Sequence, residues 1–489
     1  MIKAEYGAVK CVKNKTAEVK VATESPLAIN EDVKKIISVN ATAFVTDVEN
    51  KDETTRAKAK VAFTVVYLAE DGFKKTEVFA EAEAELPVKN AFVCAEAVDA
   101  RVVNVNENYV ARCGVKFIAQ GCVTESKDVL AGGDGILIKE REIATDEQTE
   151  TSCEDFSVTD EFEVNYAVKE VLGRNEFIRV KSVESGVSRV IFEGDVELTV
   201  KVLPFSENND IIKEKRSIPF RFELPVVGAL PDARAFGDVR LCTESVKVFT
   251  DEAKNKSSIS AEITLTAFGF AIGEVKTVVA EDAYSREDET ETTKTSVTLI
   301  RYDGRRYREE RIVGKTNAKA PDGSRIIGML GECVNLFPSV ISDDKTTVNG
   351  TVRADVAFRN SDNGTTCVQV ETPFSLDIVE ACRVGLVKVT LESADARVRG
   401  GEIELECVLA LSYVCLIEET ISCIADVTSL GARKTADSAI TVFIPTAGDE
   451  LWDVSKRLAA SAEEITALNP DLVFPLKGDE RIIVYRQKI

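Results

Sequence analysis

The chain of 489 residues contains no histidine. Histidine is the commonest general base near neutral pH and the commonest metal ligand, so its absence excludes Ser-His-Asp and Cys-His catalysis and every His-containing zinc site. Chemistry that runs on carboxylates alone survives. No GxxxxGK[ST] segment is present to cradle a phosphate, and Gly132-Gly133-Asp134-Gly135 lacks the following lysine and reads as a turn. Long apolar runs are missing too. The longest, residues 407–417, is about half of what a membrane-spanning helix needs. Basic residues are in deficit, with 61 Lys plus Arg against 83 Asp plus Glu and a net charge of -22. That sign opposes the phosphate neutralisation on which nucleic-acid binding rests and disfavours anionic membranes. The opening MIKAEYGAVKCVKNK carries charge at Lys3 and Glu5 with no apolar core, so no secretory signal is read and a cytoplasmic location is expected.

Twelve cysteines are spread along the chain without any CxxC pair, which predicts reduced thiols, many of them buried as small hydrophobes. Cys407, Cys415 and Cys423 look regular but lack a fourth ligand and tight spacing, so neither a metal nor another cofactor is expected.

A chain of this length exceeds one hydrophobic core, and three or four domains are expected. Period-2 alternation fills the first 430 residues. Val196, Leu198, Val200 and Val202 alternate with Glu197, Thr199 and Lys201; Ile259, Ala261, Ile263 and Leu265 alternate with Ser260, Glu262 and Thr264. Val61, Phe63, Val65 and Tyr67 repeat the pattern, as do Ile218, Phe220, Phe222 and Leu224. Such alternation marks half-buried antiparallel strands. Gly400-Gly401 and Glu70-Asp71-Gly72 read as hairpin turns.

Three slots recur in the same order. AKVAFTVVYL (59–68), EGDVELTVKVL (193–203) and VNGTVRADVAF (348–358) fill the first; EAELP (83–87), RFELP (221–225) and ETPFSL (371–376) the second; YVARCGVKFIA (109–119), SISAEITLTAF (258–268) and EIELECVLALS (402–412) the third. Residues 170–173 and 311–314 echo each other near the starts of the second and third units. Acidic stretches at 146–155 and 286–294 read as connections. The fold class is therefore mainly β: tandem antiparallel sandwich-like or barrel-like modules over 1–145, 146–285 and 286–437, then a small βααβ domain over 440–489. In that domain Asp449 is placed to cap a first helix with Leu451, Val454 and Leu458 on one stripe. Ser461 with Glu464 forms a capping box for a second helix that turns Ile465 and Leu468 inward. Asn469-Pro470 ends it, and Ile482, Ile483 and Val484 supply a final strand.

IPTAGDELWDVSKRL, AEEITALNPDL and PLKGDERIIVY, in that order, resemble a LysM module. Glu450 departs from the family's usual Thr or Ser, and Val484-Tyr485 from its closing Ile-Pro. EDVKKIISVNATAFVTDVE (31–49) and VAEDAYSREDE (279–289) are similar to segments of the SPOCS domain. SPOCS repeats followed by one LysM module are the layout of the SipL-like family of clostridial spore morphogenetic proteins. The resemblance implies a non-enzymatic scaffold of spore-coat assembly on the mother-cell side of the forespore surface, with the coat's basement-layer ATPase as partner. LysM modules as a class bind N-acetylglucosamine polymers between two loops, which here correspond to Gly448, Asp449, Glu450 and Leu451 and to Asn469, Pro470, Asp471 and Leu472, and the protein partner is expected at these same two loops. A wall- or cortex-glycan binder is thus the alternative. Trp452, the lone tryptophan, is expected in the LysM core with Val454, Leu458, Ile465 and Leu468, and Tyr284 at a domain border. Wall hydrolases carry LysM modules, but the acids here alternate along strands as solvated faces and no catalytic motif stands out, so no enzyme is expected.

Overall fold

The computed structural model describes the chain except residues 1, 30, 52–53, 71, 90–91, 106–107, 207–209, 337–339, 342–344, 363, 435–439 and 486–489, together with the side chains of 11–14, 50, 120–124, 317, 340–341 and 386. The expected module end at 437, Asp71 of the expected turn, and the side chains of Cys11 and Cys122 lie outside the described residues. Among the described residues the protein is mainly β, its sheets are antiparallel and open, and two short helices fall near the C-terminus. The modules are therefore sandwiches rather than barrels.

The first module runs β1 (Lys3–Pro26), β2 (Lys35–Asn50), β3 (Thr55–Ala69), β4 (Gly72–Leu86), β5 (Phe92–Val105) and β6 (Asn108–Asp134). Its sheets are β1-β6-β5 and β2-β3-β4. The second runs β7 (Leu137–Gln148), β8 (Ser152–Val164), β9 (Val168–Gly186), β10 (Arg189–Pro204), β11 (Ile212–Pro225), β12 (Arg234–Asp251) and β13 (Lys256–Tyr284). Here β7 and β8 pair two stretches of β13, so together they take the place of β1, while β12 flanks β13 and β9-β10-β11 form the facing sheet. The third runs β14 (Asp288–Lys319), β15 (Arg325–Leu336), β16 (Val340–Ile341), β17 (Thr346–Arg359), β18 (Thr365–Ile378), β19 (Arg383–Arg399) and β20 (Glu402–Ala432), with sheets β14-β20-β19 and β15-β17-β18.

The three sequence slots fall on the same strands each time: the first on β3, β10 and β17, the second on β4, β11 and β18, the third on β6, β13 and β20. The apolar parity of each strand packs into its sandwich, as for Val61, Phe63 and Val65 or Val196, Val200 and Val202, all 0% exposed. Gly400 and Gly401 have φ of +57° and +83° and close a two-residue hairpin between β19 and β20, where both positions need left-handed backbone. Two expectations fail. The stretches read as connections carry strand: 152–155 pairs with β13, and 288–294 pairs with β20. They belong to long ribbons with solvated faces, so they are strand without strong apolar alternation. The echo of 170–173 with 311–314 also joins strands that are not equivalent, β9 and β14.

The modules pack around two shared layers. In one, Ile37, Val66 and Phe73 of the first module meet Leu172, Leu203 and Ile211 of the second and Ile327, Leu330 and Ala357 of the third. In the other, the extended ribbons converge: Val9 and Val129, Ile143 and Val279, and Val297, Leu299, Ile421 and Cys423. Buried polar groups accompany the first layer. Lys201, 1% exposed, pairs with buried Glu332 and donates to Leu330 O at 3.1 Å; Asn175 donates to Glu332 Oε2 at 3.0 Å. Ser38 donates to Asp355 at 2.8 Å, and Arg174 binds Glu244 at 2.6 Å and Glu77 at 3.2 Å. Each pair of modules is thus joined by at least one of these contacts.

One cysteine expectation also changes. Cys382 and Cys415 form a disulfide, while Cys94, Cys113, Cys153, Cys242, Cys333, Cys367, Cys407 and Cys423 are free. The 33 residues separating the pair hide it from any reading of spacing.

Candidate functional site

Residues 440–485 form β21 (Ile440–Phe443), α1 (Leu451–Leu458), α2 (Ala462–Leu468) and β22 (Ile482–Tyr485), with β21 and β22 antiparallel. Val454, Leu458, Ala460, Ile465, Leu476, Ile482 and Val484 make the core, with Leu451, Leu472, Phe443 and Phe474 against it. Glu450 is the N-cap of α1 and its amide donates to Asp453 at 2.9 Å. Asp449, expected to cap, is buried instead: it accepts from the Thr446 amide and from Arg457, both at 2.7 Å. Ser461 caps α2 as expected, accepting from the Glu464 amide at 3.2 Å.

Of the eight loop residues read as binding, Gly448, Glu450, Pro470 and Asp471 are exposed. The others have structural partners. Leu451 and Leu472 face the core, and Asn469 clasps the β22 backbone by accepting from Ile483 N at 2.8 Å and donating to Ile483 O at 2.9 Å. Leu468, expected inward, is 37% exposed: the second helix is seven residues long and ends there, so only Ile465 reaches the core.

Trp452 departs from its expected place as well. Its ring meets Tyr284 edge-on at 5.0 Å, and its indole N–H donates to Asp282 Oδ2 at 2.9 Å. Lys456, one turn on, reaches both Asp282 oxygens at 2.6 and 2.8 Å. Tyr284, 2% exposed, donates its hydroxyl to Ala460 O at 2.8 Å, and Arg286 pairs with Glu464 at 2.6 Å. Burial pushes the Asp282 carboxyl up, but its hydrogen bonds from Lys456 and Trp452 outweigh this and hold it below the usual range. Trp452 thus seats the small module on the end of β13 rather than filling the module's core.

The surface left over is apolar. Ile440, Val442, Ile444, Ile483 and Tyr485 are 54%, 56%, 68%, 38% and 60% exposed. Ile440 opposes Tyr485 and Val442 opposes Ile483 across the two strands, so these side chains share the outer face of the sheet. Sequence reasoning missed this face. Its signal was that IIVY is apolar at both parities, and a two-stranded sheet with one covered side can bury only one of them.

A second concave region lies between the second and third modules, a cleft of about 630 Å³ lined by Lys181, Arg234, Arg305, Arg306 and Lys388 and by Glu184, Asp238 and Asp303. Arg305 binds Asp238 at 3.2 Å and Ser412 at 3.0 Å, and Lys388 binds Asp238 at 3.0 Å. The lining cations are held by carboxylates. No family model matches the chain, and no curated protein and no solved structure matches it.

Proposed function

We propose that the chain is a non-enzymatic scaffold of spore-coat assembly whose C-terminal, LysM-like module binds a protein, the coat's basement-layer ATPase. The observation that carries the protein-binding part is the outer face of β21 and β22. Contiguous exposed apolar side chains of this kind mark interaction sites, and here they stand on the module that the LysM resemblance singles out. The SPOCS-like repeats below act as the carrier. Compartment and partner rest on the resemblance; the mode of contact rests on the face. Exposed Gly448, Glu450, Pro470 and Asp471 border the module's loops, where a glycan would be read by polar groups.

The test is a calorimetric titration of the full chain with the ATPase and, separately, with chitin oligomers. Binding of the ATPase that is lost in Val442→Ser and Ile483→Ser is the expected result. Tight oligomer binding that depends on Glu450 and Asp471, without protein binding, would make the chain a peptidoglycan or cortex-glycan binder instead.

A further inference from the structure

The cysteine pair at the edge of the third module carries more than a crosslink. Glu380 and Cys382 lie in the turn between β18 and β19, and Cys415 lies on β20, where Val384 is its register partner. The two cysteine Cα atoms are 5.5 Å apart, and one carboxylate oxygen of Glu380 and both sulfurs lie within 4.8 Å of one another. Tyr413, two residues before Cys415 and 4% exposed, donates its hydroxyl to Glu380 Oε1 at 2.5 Å. That bond holds the carboxylate in place beside the two sulfurs.

We propose that in the reduced chain Glu380, Cys382 and Cys415 bind one soft divalent cation of the zinc class. Thiolates select such metals, and two thiolates with a carboxylate complete three corners of a tetrahedron at metal–sulfur and metal–oxygen distances of about 2.3 and 2.1 Å. Ligands around one zinc then stand roughly 3.5 to 4 Å apart, which side-chain rotation reaches from the present spread. Cys415 is buried, whereas Cys382 and Glu380 are half-buried, so the fourth position opens outward to water or a partner's donor. Tyr413, through its hydrogen bond to Glu380, orients the ligating carboxylate.

The same sulfurs cannot be bonded to each other and to a metal. Two equivalents of a small thiol convert the disulfide to two cysteine thiols and yield one small-molecule disulfide. Metal entry then displaces both thiol protons. Redox state therefore decides whether the pair is a staple or a metal site.

The full-length chain, reduced and freed of reductant under anaerobic conditions, is titrated with cobalt(II) and then zinc. The expected result is one equivalent bound, with a thiolate-to-cobalt charge-transfer band that zinc displaces. Cys382→Ser and Cys415→Ser each abolish that equivalent while circular dichroism stays unchanged, and Glu380→Gln and Tyr413→Phe weaken it about tenfold or more. The oxidised chain takes up none. Absence of uptake by the reduced chain, or uptake that survives both serine variants, would overturn the proposal.

Discussion

Three β-modules meet over two shared apolar layers, one of them accompanied by buried charge, whereas the C-terminal module meets them through one aromatic edge, the Asp282 clamp, the Tyr284–Ala460 hydrogen bond and the Arg286–Glu464 pair. Apolar area that leaves water on both sides of a junction binds the parts into one cooperative unit. A junction made of Trp452, Tyr284, Asp282 and Lys456 holds orientation with much less. The body is built to stay together, and the small module is built to be presented. The two junctions should therefore respond differently to mutation.

The largest effect is expected at the body. Lys201→Met leaves Glu332 without its buried counter-charge, and breaking such a pair costs about 3–5 kcal/mol, measured by urea denaturation of the full chain. Lys201→Met with Glu332→Leu should recover most of that loss, because the double variant leaves no orphaned charge. A single variant within about 0.5 kcal/mol of the parent, the range of ordinary surface changes, would show that the layer does not unite the modules.

Next comes the seat. Trp452→Ala removes the edge contact, worth about 0.5–1.5 kcal/mol beyond its area, and a hydrogen bond to a charged acceptor, worth about 1.5–3 kcal/mol. Hydrogen exchange of 280–288 should quicken while the body's unfolding midpoint stays put. A drop in that midpoint would mean that the small module is part of the body's cooperative unit.

Glu176 on β9, inside the second module, and Asp282 at the seat respond to pH with opposite sign. Burial, and then neighbouring Glu244, push the Glu176 carboxyl well above its ordinary 4.5. Its contribution to the body is full below that value and is lost as pH rises through the raised pKa. Asp282, held below its ordinary 3.8, contributes above that value and is lost as pH falls through the lowered pKa. Glu176→Gln should remove the Glu176 part of the body's pH dependence, read by denaturation at a series of pH values. Asp282→Asn should abolish the acid-triggered exchange at 280–288. An unchanged slope in Glu176→Gln would place the body's pH response elsewhere.

The smallest stability effect belongs to the outer face. Val442→Ser and Ile483→Ser should each shift thermal unfolding by less than about 0.5 kcal/mol, as exposed positions do, yet remove binding. Loss of fold in either variant would mean that the face is part of the module's framework.

The sandwiches were legible because alternation at period 2 is a local property: Val196 to Val202 on β10 and Ile259 to Leu265 on β13 face inward as their spacing predicts. The repeat was legible for the same reason. What escaped depends on contacts distant in sequence. Asp282 and Lys456 are 174 residues apart, Lys201 and Glu332 131, and Cys382 and Cys415 33. An apolar ring on a helix looks the same whether it packs inside its own module or against the next, so its position alone cannot tell a core Trp452 from a seating one. The periodicity that points Leu468 inward needs another helical turn to be decided, and the helix ends there.

Hydrogen exchange of the full chain with and without the coat ATPase tests the central claim most directly. The account predicts protection on binding at 440–444 and 482–485, with the faces of β3, β10 and β17 unchanged. Protection confined to 448–451 and 469–472, or to the cleft between the second and third modules, would contradict it.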